Sequence, residues 1–270
     1  MIAIFKLSWY TIVMVNLGND EIVKYPFLAE AGKYLSDKGF SLDQFGTDPD
    51  LKKIVDNAFE RIITSSEGRI FKSDPLSNNS ALPLEIFSFL IAVILLKLSG
   101  MNTLIRRFSL AEARRAEKFL EKDLMNHQDA TKTKLSLQIL QELFSVTVEK
   151  IDEEFTISVS DYLKHSINFH EREWKLINRK VTNGKVHLTP HETVRLVRKE
   201  LDRHIYTKIN SSSTPEMIIG FETYVDKLKQ LAKKFEVKTV ESKEFPPCIK
   251  HAIDVLEKGE NLPHSGRFLL

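Results

Sequence analysis

Paired carboxylates, a group of histidines, one cysteine and an arginine-rich stretch are the residues whose types and spacing could do chemistry in this chain. Asp48-Pro49-Asp50 is its only D-x-D. Paired acids of this kind hold two metal ions in enzymes that join nucleotides, and they need rigid placement. Here a proline separates them and a helical pattern follows. The acids therefore suit the positive end of a helix, with Asp48 as N-cap and Pro49 at the first helical position. His165, His170, His187 and His191 are close in sequence. His187 and His191 straddle a strand-to-helix junction, with no cysteine nearby and no H-E-x-x-H, so surface or interface histidines are preferred to a zinc site. No P-loop, G-x-G-x-x-G or G-x-S-x-G occurs. Nothing in the first 240 residues resembles an active site, which points to an interaction or scaffold subunit.

The single cysteine, Cys248, excludes an internal disulfide and fits an intracellular chain. Phe245-Pro246-Pro247-Cys248 places it in the first turn of a helix, where the dipole favours a thiolate. His251 lies one turn away, but a nucleophilic thiol also needs a third, orienting group. Downstream, Asn261-Leu262-Pro263-His264-Ser265-Gly266-Arg267 combines a turn, a histidine and a forked donor able to grip phosphate. Arg106, Arg107, Arg114, Arg115 and Lys118 form a candidate nucleic-acid stripe. Glu112, Glu117 and Glu121 are interleaved with them, so a solvated, salt-bridged face is expected first and a partner surface second.

The elements that must position these groups follow from periodicity. Pro26 to Leu35 can open a helix. Leu51, Ile54, Val55, Ala58 and Ile62 recur at helical spacing behind Asp48. Pro83 starts an apolar helix ending near Gly100. Thr103 to Met125 and Leu135 to Leu143 continue the helical half. Near residue 147 the pattern changes. Phe155, Ile157 and Val159 alternate with polar residues as in a half-buried strand. Asp161 to His165 forms a short helix. Leu176 to Thr182 and Lys185 to Leu188 flank Asn183-Gly184, a strong hairpin signal. Thr189-Pro190-His191-Glu192 is a capping box opening a helix to about Lys208. Asn210 to Ser213 reads as a hinge. Ser213 or Thr214 caps a lysine-rich helix with Phe221, Val225, Leu228, Ala232 and Phe235 on one face.

Charge adds little. Lys plus Arg number 39 against 37 Asp plus Glu, a formal net of +2, so a basic surface must come from local clustering. The apolar start, Met1 to Val15, is too short to span a bilayer, and Met14 is the expected true start. The run Ile86 to Leu98 is interrupted by Ser88 and Lys97 and reads as a core helix, so no membrane association is expected.

Together these segments resemble the large, non-catalytic subunit of the archaeal/eukaryotic-type DNA primase. Tyr25-Pro26-Phe27-Leu28-Ala29-Glu30-Ala31 is similar to its N-terminal opening. Phe89 to Ala113 is similar to its central helices. Val159-Ser160-Asp161-Tyr162-Leu163 and Trp174-Lys175-Leu176-Ile177-Asn178-Arg179 are similar to its small α/β unit. The most specific likeness is Phe245-Pro246-Pro247-Cys248 followed by Leu262-Pro263-His264-Ser265-Gly266-Arg267-Phe268.

The resemblance implies a mainly α fold. Residues 19–146 would form an all-helical N-terminal domain behind an extra segment, 1–18. Residues 147–210 would form a small α/β subdomain, 211–244 a hinge and linker helix, and 245–270 the first helix of a helical iron–sulfur domain that this chain carries incompletely. It further implies a regulatory subunit, not an enzyme by itself. Such a subunit binds and stabilises the catalytic small primase subunit as a heterodimer and modulates synthesis of short RNA primers for DNA replication. Its setting would be intracellular, cytoplasmic or nucleoid-associated. Cys248 matches the first of four ligands of a 4Fe-4S cluster. His264 and Arg267 match residues that bind the primer 5′-triphosphate, with template DNA and RNA primer as partners and a replicative polymerase as a possible one. For the small-subunit interface, Ile157, Val159, Asp161, Tyr162 and Leu163 are expected to offer an exposed apolar patch. Charged residues at 157 and 162 should then abolish docking and spare the fold. The alternative reading is a helical nucleic-acid-binding protein with no catalytic partner, resting on Lys227, Lys229, Lys233, Lys234 and Lys238.

Overall fold

The structure, a computed structural model, describes residues 23–28, 42–72, 81–126, 130–144, 146–151, 154–235 and 245–257. The expectations for Met1 to Val15 and for Ala29 to Leu35 lie outside them, as do those for Lys238 to Glu244, His264 and Arg267. The chain separates into two compact units, Met1–Ala232 and Lys233–Leu270.

The first unit begins with helices α1 (Leu42–Thr47), α2 (Pro49–Ser66), α3 (Ala81–Ser99), α4 (Asn102–Met125) and α5 (Ala130–Phe144). Asp48 caps α2 as expected, its side chain accepting from Asp50 N at 2.8 Å, with Pro49 next. Gly68, at φ 76°, ends α2 by donating to Ser65 O at 3.0 Å while Arg69 N reaches Thr64 O at 3.1 Å. These bonds satisfy carbonyls that the helix end would leave bare. Helix α3 is apolar around most of its surface, and its residues from Ile86 to Leu96 are buried. It is therefore the centre of the bundle, with α2 packed against it. Among the described residues, no helix is long and apolar enough to cross a membrane.

The second half of this unit holds a four-stranded antiparallel sheet of order β1-β2-β4-β3. The strands are β1 (Val148–Ile151), β2 (Glu154–Ser158), β3 (Val181–Thr182) and β4 (Lys185–Leu188). Helix α6 (Val159–Ser166) follows β2. Asn183 and Gly184, at φ 51° and 72°, turn the β3–β4 hairpin as their types require. Its first arm is shorter than expected, because Leu176–Asn178 is a 3-10 turn instead of a strand. Asn178 N to Lys175 O at 2.9 Å and Arg179 N to Leu176 O at 3.0 Å consume the backbone donors a strand would have paired.

Helix α7 (Pro190–Ser211) opens on the expected capping box, with Thr189 and Glu192 exchanging both bonds. It runs past Lys208 to Ser211, so Asn210 and Ser211 are helical rather than hinge. It packs along α4 in antiparallel register. His191 meets Glu121, Arg198 meets Glu117, and Tyr206 meets Asn102. Helix α8 (Glu222–Lys233) starts seven residues later than a Thr214 cap would give, and buries Tyr224, Val225, Leu228 and Ala232. The segment before it crosses α1 backbone to backbone. A Cβ on Gly46 would lie 1.8 Å from Ile219 O, and one on Gly220 would lie 2.6 Å from Gly46 O. Only glycine fits this crossing, and a helix there would lift the two chains apart. In the second unit, α9 (Pro247–Glu257) carries Cys248, exposed, in its first turn.

The interleaved acids of α4 behave differently from expectation. Glu112 and Glu117 are 2% and 7% exposed, so they cannot form a solvated, salt-bridged face. Glu112 receives both Arg61 Nε and Nη2 at 2.7 Å, and Arg61 Nη1 reaches Glu85 at 2.7 Å. Arg115 Nη2 completes the group at 2.8 Å from Glu85. Two arginines and two glutamates thus neutralise each other inside the bundle. Burial disfavours the Arg61 charge, but Glu112 and Glu85 more than reverse this and hold it firmly protonated.

Candidate partner-docking site

The α/β unit concentrates the expected interface residues, so its geometry decides what they can do. Strand β2 lies between β1 and β4, with Ile157 opposite Val148 on one side and Val186 on the other. Ile157 is consequently 1% exposed. Ser158 then caps α6, its Oγ accepting from Asp161 N at 3.1 Å and donating to the Asp161 carboxylate at 2.8 Å. This cap turns the chain sharply out of the sheet and fixes where α6 points. Tyr162, one turn on, is 0% exposed and its hydroxyl donates to Trp174 O at 2.8 Å.

Ile157 and Tyr162 are therefore core residues, and the expected exposed patch at these two positions is corrected. Charge at either would break the unit rather than spare it. Val159 and Asp161 are half-buried. Of the expected set, Leu163 alone is well exposed, at 49%.

Other large apolar residues near it in sequence are also exposed. Ile167 is 74% exposed and Ile177 is 92% exposed. Leu163 and Ile167 are four residues apart, one turn along a common face. Ile177 sits in the middle of the Leu176–Asn178 turn. Apolar side chains this bare are costly in water unless something covers them. Val181, on β3, adds a further exposed branched residue at 45%.

The turn that carries Ile177 is held rigidly from beneath. Trp174 stacks on Phe169 at 4.3 Å between centroids and lies near-parallel to Tyr162 at 6.4 Å. Arg179 lies over Tyr162 and Trp174, at 5.8 and 5.7 Å, and Arg195 over Phe169 and Trp174, at 5.6 and 5.4 Å. Each guanidinium is tied in turn by an acid: Arg179 to Glu192 and Arg195 to Glu171, both at 2.6 Å. Cation and ring attract through the ring quadrupole. Burial alone would raise the Glu192 carboxyl, yet Arg179 and the Thr189 backbone hold it down at about 2. The Glu192 that caps α7 is thus the same one that anchors the clamp. Burial raises the Tyr162 hydroxyl, against the opposing charge of Arg179.

Among the described residues, no group of three or more possible metal ligands comes together. His187 Nδ1 lies 2.6 Å from Glu154, which also accepts from Lys180 at 2.7 Å. These groups line an open cleft of about 190 Å³ with Arg179 and Glu192. His191 pairs with Glu121 at 2.9 Å, and His165 is buried. Cys248 stands alone as a thiolate donor. A 4Fe-4S cluster takes four thiolates, and this chain has one cysteine, so its residues do not fit a complete cluster.

Sequence reasoning missed Ile167 and Ile177 as surface and read Ile157 as patch. The signal for Ile177 was present in Trp174-Lys175-Leu176-Ile177-Asn178-Arg179, where only the tryptophan is large enough to anchor a turn. The expected strand over Leu176 to Thr182 hides it.

Comparison with known proteins agrees with this architecture. Residues 99–217, from the end of α3 through α7, match the family described as eukaryotic and archaeal DNA primase, large subunit N-terminal domain. The DNA primase large subunit PriL of Methanocella arvoryzae is 29% identical over 254 residues, covering 92% of this chain and 66% of that protein. The PriL of Methanosarcina acetivorans is 30% identical, with 93% and 67% covered. That of Methanococcoides burtonii is 30% identical, with 94% and 71% covered. The chain thus spans about two thirds of the length of these relatives. With identity of this extent running through both the helical bundle and the clamped α/β unit, the chain belongs to the family of DNA primase large subunits.

Proposed function

We propose that this chain is the non-catalytic, regulatory subunit of a DNA primase and that it grips the catalytic small subunit through the α/β unit. The observation that carries this is the exposed apolar set Leu163, Ile167 and Ile177, raised on a rigid aromatic–arginine clamp within the family-matched segment. A rigid platform loses little entropy on docking, and bare isoleucines gain most from being covered. In this role the subunit stabilises its partner and modulates the making of short RNA primers, working beside the nucleoid. Polymerisation belongs to the partner. Asp48 and Asp50 serve the α2 terminus, where Asp48 is a cap and Asp50 bonds Lys53 at 3.1 Å.

Cys248 would supply the first of four ligands of a 4Fe-4S cluster, and His264 with Arg267 would grip a primer 5′-triphosphate. The partner thiolates for Cys248 are not in this sequence.

The test is co-expression with the primase small subunit of the same genome, followed by size exclusion. Wild type should elute as a one-to-one complex. Replacing Leu163, Ile167 and Ile177 together by glutamate should abolish co-elution while the melting temperature stays within a few degrees. Ile157→Asp should instead yield no folded chain, since it buries a charge between two strands. Co-elution surviving the triple change would sink the assigned surface.

A further inference from the structure

We infer that the docking face of the α/β unit carries a basic rim, formed by Lys164, Arg172 and Lys175, and that the partner surface it fits is apolar at its centre and edged with carboxylates. This deepens the docking assignment and rests on it for the identity of the partner, the catalytic small subunit. Lys164 follows Leu163 on α6 and stands three residues before Ile167, so it neighbours that isoleucine on the helix surface. Arg172 and Lys175 belong to the turn that bears Ile177. Asn178 Nδ2 donates to Arg172 O at 2.7 Å, and Lys175 N donates to the same carbonyl at 3.2 Å, which holds both cationic residues against the turn. The Tyr162 hydroxyl, donating to Trp174 O at 2.8 Å, ties this turn to α6. All three cations are exposed.

The acids of the same stretch are mostly occupied. Asp161 accepts from Ser158 Oγ at 2.8 Å, and Glu171 accepts from Arg195 at 2.6 Å. Glu154 is engaged by Lys180 and His187, and Glu192 by Arg179. Among the described residues, the ion pairs of this unit take up Arg179, Lys180, Lys185, His187 and Arg195 and leave out Lys164, Arg172 and Lys175. Glu173 is exposed, and its charge acts on Arg179. Three cations and one acid therefore stay displayed among the apolar residues, and the rim is positive.

This pattern selects the partner's chemistry. A cation covered by an apolar or basic face loses its water and gains nothing in return, whereas a carboxylate opposite replaces the lost hydration. A basic rim around bare isoleucines therefore rejects most protein surfaces and admits an acid-edged one. Rim charges act mainly on encounter, through long-range attraction, while the covered apolar centre governs release. A phosphodiester backbone would also answer the cations, but it offers nothing to cover Ile177, which is 92% exposed.

The experiment follows association and dissociation of the full chain with the small subunit of the same genome by biolayer interferometry, across a salt series. Changing Lys164, Arg172 and Lys175 together to glutamate should slow association at least about tenfold at low salt and alter dissociation less than about threefold. The gap should close near about 1 M salt, where charges are screened beyond about 3 Å. Changing exposed Lys52, Lys199 and Lys229 to glutamate alters net charge equally and should leave association within about twofold of wild type. Equal slowing in both variants, unchanged or faster association in the rim variant, or a gap that persists at high salt would each overturn the inference. So would a rim variant that associates normally yet loses affinity for single-stranded DNA, since the cations would then serve phosphates. The variant with glutamate at Leu163, Ile167 and Ile177 keeps the two assignments apart. If it still co-elutes, the docking surface itself is wrong. If it fails to co-elute while the rim variant associates like wild type, the basic rim alone is wrong.

Discussion

At the residue scale, Arg61 is the most consequential side chain in the bundle. It is fully buried, donates to Glu112 and Glu85, and lies over Phe71 and Phe89 at 5.5 and 5.4 Å. Removing it strands two carboxylates in an apolar interior, although Arg115 remains beside them. Arg61→Ala should therefore destabilise the chain by about 3–5 kcal/mol in urea unfolding. Arg61→Met combined with Glu112→Leu leaves Arg115 to pair with Glu85 and should recover at least half of that loss. If the double variant is no better than the single one, the cost comes from packing rather than from unpaired charge. In sequence, Arg115 reads as part of a solvated, salt-bridged helix face. Nothing in the residue types showed that four charges from three helices meet at one point, because that pairing is set by how α2, α3 and α4 cross.

At the scale of elements, local chemistry was legible and long-range placement was not. The Asp48 cap, the Asn183-Gly184 turn and the Thr189–Glu192 capping box are each encoded within four residues, and each formed as their side chains dictate. Leu176 to Asn178 and the start of α8 differ from expectation because tertiary contacts decide them, while Val181 and Thr182 form the expected hairpin arm. Trp174 pins the first to the core, and the Gly46–Gly220 crossing holds the second extended. The same logic explains the site: α6 begins where Ser158 says, but only the sheet order buries Ile157. Helix α7 carries a pH signature. Glu192 titrates near 2 in the fold, below its ordinary 4.5. Its contribution is complete above about pH 4.5 and disappears as pH falls toward 2. It should amount to about 2 kcal/mol, allowing for its partial exposure. Glu192→Gln should lower stability at pH 7 and flatten the decline between pH 5 and 3, read from denaturation midpoints. An unchanged acid profile would mean that the Arg179 pair contributes nothing.

At the scale of the molecule, the bundle and the sheet unit present different surfaces. The sheet unit displays isoleucines, α4 displays cations, and the acids that would mask those cations are drawn into ion pairs inside the bundle. A chain with a formal net charge of +2 can thereby present both an apolar docking face and an electropositive face. The two faces are built from different elements, the first from the sheet unit and its turn, the second from α4.

The clamp around Trp174 also makes the docking unit optically visible. The chain has two tryptophans, Trp9 and Trp174, and the second is 3% exposed between Phe169 and two guanidinium groups. In a Trp9→Phe variant, emission comes from this one indole. Its maximum should lie well to the blue of indole in water, and should move red in denaturant as the α/β unit opens. Emission already at the water value in the native protein would contradict the packing described. With the blue signal in place, a single cuvette reports whether the platform beneath Ile177 is intact before any partner is added.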